Sequence, residues 1–151
     1  MASVALNTTV VHNITNFGFG DLTRTACIEV FKDGRVFSHF IEKWLAMHYL
    51  IDHVPGCKSH DFTDSANTEI LYDEKTFTKG GCRFCPSAMI GVGRSFDKVK
   101  HEEHCSKLIF CIVSNINFPE IKVKFVPGIE LAKQFPNGKI NLRDHDSFFQ
   151  N

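Results

Sequence analysis

Two periodicities divide this chain. From Val36 to Leu50 the apolar residues Phe37, Phe40, Ile41, Trp44, Leu45 and Tyr49 recur every three or four positions. That stripes one side of an α-helix and predicts an amphipathic helix packed on a sheet. The segment around Ile70-Leu71-Tyr72 and Thr76-Phe77-Thr78 is instead rich in branched and aromatic residues around a charged centre, which predicts a strand. Leu108-Ile109-Phe110-Cys111-Ile112-Val113 is an unbroken apolar run between polar residues, the pattern of a buried strand. Ile121-Lys122-Val123-Lys124-Phe125-Val126 alternates cleanly and predicts a half-buried strand, ended by Pro127-Gly128.

The remaining segments are less regular. Residues 1–20 alternate Val, Asn and Thr and read as an extended arm, suited to pairing with a partner subunit. Ala26 to Phe31 is a short strand or the start of a helix, broken by the turn dipeptide Asp33-Gly34. Ser95 to Ser106 is polar and helix-compatible, and Ile129 to Phe135 is a short helix or turn. Pro136-Asn137-Gly138 turns into a loose tail over 136–151, whose Asp144, His145 and Asp146 read as solvated residues of a frayed end. These elements predict an α/β (α+β) fold with a central mixed sheet flanked by helices. A chain of 151 residues makes one domain with one substantial core.

Charge narrows the function classes. Seventeen basic residues balance seventeen acidic ones, which argues against binding nucleic acid through bulk positive charge. A localised patch remains available between Lys79 and Lys107, where Lys79, Arg83, Arg94, Lys98, Lys100 and Lys107 can supply phosphate contacts. No apolar run has membrane-spanning length and no leader-like segment opens the chain, so no membrane partner and a cytoplasmic location are expected. The six cysteines are then expected to be thiols or metal ligands.

The chemistry concentrates in two runs, His60-Asp61-Phe62-Thr63-Asp64 and Tyr72-Asp73-Glu74-Lys75-Thr76-Phe77. Side chains alternate along a strand, so Asp73 and Lys75 share one face and Glu74 takes the other. With Asp61 or Asp64 on the neighbouring strand, two carboxylates and a lysine converge. Magnesium, for which manganese can substitute, is held by one or two carboxylates with waters and substrate phosphate. It polarises a phosphoryl oxygen and lowers the pKa of a bound water. Lys75 is then placed to steer that water and offset charge in the transition state.

In "HDFTD…ILYDEKTFTKGG" the chain resembles the PD-(D/E)xK nucleases, and is most similar to small type II restriction endonucleases over roughly Glu42 to Ser114. Asp73 stands where Glu is commoner in that family. The resemblance implies a restriction-endonuclease-like core, since helix, acidic hairpin, loop, helix and buried strand follow in that order. It implies a magnesium-dependent endonuclease acting on double-stranded DNA, as a restriction enzyme or phage-type nuclease. Asp61 and Asp73 would hold the metal, with Asp64 the alternative to Asp61, and Lys75 would complete the catalytic set. An early helix in this family sends a Glu toward the metal, and Glu42 is its counterpart. The segment after the lysine contributes DNA contacts in such enzymes, which points to Arg83, Ser87 and Arg94 beside Lys79. One site per chain makes a homodimer the simplest route to a double-strand cut.

Cys82-x-x-Cys85 with His101, His104 and Cys105 forms a second constellation. Two pairs of sulfur or imidazole ligands at this separation match structural-zinc spacing, and Cys57 with His60 could join them. The competing reading is therefore a zinc-stabilised binding module without catalysis. Small buried thiols and histidines on a polar helix account for the same residues without metal.

Overall fold

In the computed structural model, which describes residues 1–56 and 59–151, Asp33 separates two helices and builds the second. Its carboxylate accepts the N–H groups of Arg35 and Val36 at 2.9 and 3.4 Å, satisfying two of the donors every helix start leaves open. The helix before it, α1 (Arg24–Phe31), is capped the same way by Thr23, whose hydroxyl accepts the Ala26 N–H. The ambiguous 26–31 segment is thus helical. From Asp33 onward α2 (Gly34–His48) buries Phe37, Ile41 and Leu45, one residue per turn along a single stripe. Each such side chain contributes about 1.5–3 kcal/mol when fully withdrawn from water.

Six strands form one mixed sheet. They are β1 (Thr9–Asn13), β2 (Ile51–His53), β3 (Phe62–Asp64), β4 (Leu71–Phe77), β6 (Ile109–Ser114) and β7 (Glu120–Pro127), in the order β1-β7-β6-β4-β3-β2. All neighbours are antiparallel except β4 and β6. A parallel pair needs a crossover, and the connection here carries α3 (Lys98–Ser106). A separate ribbon pairs β5 (Cys82–Arg83) with β8 (Lys139–Ile140). Two short helices, α4 (Gly128–Gln134) and α5 (His145–Phe148), complete the mixed α+β fold.

The sheet is covered on both faces. Tyr72, Cys111, Val113, Val123 and Phe125 pack with α2, while Phe77, Phe110, Ile112 and Val126 pack with Cys105, Leu131 and Phe148. Alternation along β6 sends Phe110 and Ile112 one way and Cys111 and Val113 the other, as its apolar run predicts. On β4 the same rule puts Tyr72, Glu74 and Thr76 toward α2, with Asp73, Lys75 and Phe77 toward α3.

Both chain ends are drawn into this framework. The first segment forms β1, paired in register with β7 from Thr9↔Lys124 to Asn13↔Glu120, so it is an edge strand of its own sheet. The segment read as a loose tail instead docks, with His145, Phe148 and Phe149 buried. Lys124 donates to the Phe148 carbonyl at 2.6 Å and its Nζ lies 4.8 Å from the Phe148 ring centroid. The lysine face of β7, expected to be wet, is therefore partly roofed by the last helix. No helix of the described residues is long and apolar enough to cross a membrane.

Candidate active site

β3 leaves β4 early. Their pairing runs through Phe62↔Tyr72 and Thr63↔Leu71, whereas β6 follows β4 as far as Phe77. Beyond Tyr72, β4 has a strand neighbour on one side among the described residues. Asp61 stands at this fork. Its N–H donates to the Tyr72 carbonyl at 2.9 Å and its Oδ2 accepts the Glu74 N–H at 2.8 Å, so the side chain extends the ladder where the strand ends.

The fork gathers acids from three elements. Glu42 reaches down from α2 to within hydrogen-bonding range of the Asp61 carboxyl, and Asp61 is in the same relation to Asp73. Lys75 Nζ lies 3.2 Å from Asp73 Oδ2, with 28% and 11% of the two side chains exposed. Glu74 is buried on the other face, where both of its carboxyl oxygens accept from the Thr76 hydroxyl at 3.1 and 3.0 Å.

Crowded carboxylates cannot all stay charged. Two like charges about 4 Å apart repel by roughly 4 kcal/mol near a protein surface, against about 1.4 kcal/mol per pH unit for taking up a proton. Protonation wins. Burial, then the hydrogen bond with Asp61 and repulsion from Asp61 and Asp73, raises the Glu42 pKa to about 8. Burial likewise raises Asp73 to about 7, even though Lys75 pulls it down. Glu74 is raised well above the carboxylate range, chiefly by burial. Burial works against the charge on Lys75, but the neighbouring Asp73, Glu74 and Asp61 outweigh it and its pKa is raised. The site is an acid cluster short of positive charge, in which Lys75 is the cation beside Asp73.

The sequence-predicted residues divide clearly. Asp61, Asp73, Lys75 and Glu42 come together. Asp64 is turned elsewhere: it accepts the Ala66 and Asn67 N–H groups and the Tyr72 hydroxyl, which caps the turn after β3. Ser87 lies in a short 3-10 turn, Ser87–Met89. Arg94 is committed to its own loop, donating to the carbonyls of Ser87 and Ile90 at 3.0 and 3.3 Å. Arg83 is exposed on β5, and Lys79 is exposed in the turn after β4.

The cysteine–histidine constellation is partly assembled. His101 is buried, with both ring nitrogens 3.6–3.7 Å from Cys105 Sγ. Gly138 approaches so closely that a Cβ there would sit 2.8 Å from Cys85 Cβ and 3.1 Å from His101 Cε1. Cys82 lies on β5 opposite Ile140, and His104 lines a hollow with Lys100 and Lys107. Cys82, Cys85 and Cys105 are free thiols, while Cys57 lies outside the described residues. No group of three or more His, Cys, Asp or Glu stands in a metal-holding arrangement among the described residues. Magnesium asks less of the protein than zinc does, one or two carboxylates. The paired Asp61 and Asp73 are a donor set of that kind.

One arrangement was not legible beforehand. Ser114 Oγ lies 2.7 Å from His145 Nε2, and His145 Nδ1 lies 2.9 Å from Asp146 Oδ1. The order matches a nucleophilic triad, but Ser114 is 3% exposed and its oxygen also accepts the Ile116 N–H. The Asp146 side chain is 97% exposed, so it lacks the desolvated charge that orients a catalytic imidazole. These bonds fasten α5 to the end of β6. Comparison with protein-family models, curated proteins and solved structures gives no match for this chain.

Proposed function

We propose that this chain is a metal-dependent DNA endonuclease of the restriction-endonuclease-like kind. The observation that carries the reading is the meeting of Asp61, Asp73 and Glu42 at an open fork of the sheet, with Lys75 3.2 Å from Asp73. Element order supports it: α2, the β3–β4 acidic pair, α3 and the buried β6 follow in the succession expected of that core.

Each residue has a distinct task. Asp61 and Asp73 would hold magnesium, or manganese in its stead. The ion, when bound, supplies Lewis acidity and a water of lowered pKa. Lys75 keeps its proton beside Asp73, orients the attacking water and offsets charge gathering on the phosphate. Glu42 shares a hydrogen bond with Asp61 and fixes how that carboxyl is presented.

The direct test is incubation of supercoiled plasmid with the protein and magnesium. Cleavage is expected, and Asp73→Ala and Lys75→Ala should each reduce it at least a hundredfold with the fold intact by circular dichroism. Undiminished cutting by both variants would refute the assignment.

A further inference from the structure

The unpaired edge of β4 continues past the acid cluster as one wall of a cleft of about 460 Å³. Glu74, Lys75, Thr76 and Thr78 line it from the strand side, and Arg35 and Ser38 from α2. It joins a hollow of about 270 Å³ that shares Gly34 and Thr78 with it and adds Lys32 and Lys79. The two elements are pressed together: a Cβ on Gly34 would lie 2.9 Å from Thr78 Cγ2.

Three observations indicate what such a cleft accommodates. It shares Lys75 with the acid cluster, so a chain-like ligand reacting at Asp61 and Asp73 has its next units here. Its lining has no large apolar side chain, unlike the core of a protein-docking surface. Its outer rim is cationic, since Arg35, Lys32 and Lys79 are exposed. Two acids line the cleft: Glu74 accepts the Thr76 hydroxyl with both carboxyl oxygens, and Asp33 spends its carboxylate on the N–H groups of Arg35 and Val36. The contact of Asp33 with Arg35 Nε is 3.8 Å and solvent-exposed, which holds the guanidinium weakly. Arg94, by contrast, is tied to Ser87 and Ile90.

We propose that this cleft carries the DNA strand phosphates next to the scissile bond, with Arg35 and Lys79 as the positioning residues. The inference rests on the endonuclease reading and deepens it. Neither side chain touches the reacting atoms. Each acts by fixing the register of the backbone over Asp73 and Lys75.

The test compares wild type, Arg35→Glu/Lys79→Glu and, as a control at an exposed arginine outside the cleft, Arg143→Glu in the full chain. Binding to a fluorescein-labelled DNA duplex is read by anisotropy in calcium over a salt series, and plasmid cleavage is read separately in magnesium. The double variant should bind at least tenfold more weakly and cleave with raised KM and little change in kcat. Its salt dependence should lose about 0.9 in slope for each phosphate contact removed. Arg143→Glu should stay within threefold of wild type, and Arg35→Lys/Lys79→Arg should restore binding. Binding by the double variant within twofold of wild type, an unchanged salt slope, or a larger effect of Arg143→Glu overturns the inference. So does failure of the wild type to bind duplex. The nuclease reading fails separately, through wild type that binds but does not cut.

Discussion

Glu42 and Asp73 hold protons that ordinary carboxyls give up, and this makes them report on the site. Their pKa values are raised to about 8 and about 7, from ordinary values of 4.5 and 3.8, burial being the first cause in both. Between the ordinary and raised values the folded chain binds more protons than the unfolded chain. Stability must then fall as pH rises through that window, from about 4 to about 8, and level off above it. Without divalent ions the thermal midpoint should accordingly carry a downward contribution from pH 5 to pH 8 that Glu42→Gln/Asp73→Asn removes. Magnesium competes with those protons, so its stabilisation of the wild type should grow over the same interval. Differential scanning fluorimetry across pH, with and without magnesium, checks both. A midpoint difference between variant and wild type that is independent of pH would contradict the raised values. The period of a strand was enough to put Asp73 and Lys75 together, whereas Glu42 was singled out by the family resemblance alone. Choosing Asp61 over Asp64 required the fork, because which aspartate meets Glu74 depends on where β3 stops pairing.

Elements were legible in proportion to how local their causes are. The stripe on α2 and the apolar run of β6 follow from burial on one side or two, and both appear at the expected positions. Segment 26–31 is too short for periodicity to separate strand from helix, and Thr23 decides it by capping. The first segment is extended as read, but the docking of neither chain end was legible, because their partners are remote in sequence. β1 owes its existence to β7 more than a hundred residues later, and α5 is fixed by Ser114, Lys124 and the apolar wall under Phe148 and Phe149. The tail is thus part of the core, which has a measurable consequence. Phe148→Ala should cost about 3–5 kcal/mol, the usual price of emptying an aromatic site. Urea unfolding of the variant measures it, and a loss below about 1 kcal/mol would mean that the helix does not pack as described.

At the scale of the whole molecule, balanced charge and a single acid cluster bear on how a double strand would be cut. A net charge of zero gives little long-range attraction to DNA, so productive binding depends on cations placed beside the cluster. Among the described residues the cluster occurs once, at the fork between β3 and β4. One set of carboxyls can address one phosphodiester at a time, and two strands need either two sequential visits or two copies related by a two-fold axis. These routes differ in their intermediates. Sequential attack by single copies accumulates nicked circles before linear plasmid, at every protein concentration. A symmetric pair converts supercoiled plasmid to linear form with little nicked intermediate, and its rate rises faster than linearly with protein while pairing is incomplete. The symmetric route is expected for cleavage at a palindromic site, because symmetry in the duplex is then matched by symmetry in the protein. Agarose-gel time courses over a hundredfold range of protein concentration separate the two, with sedimentation velocity reporting copies per complex. Persistent nicked circles and a rate strictly proportional to protein would leave the nuclease a single-strand cutter.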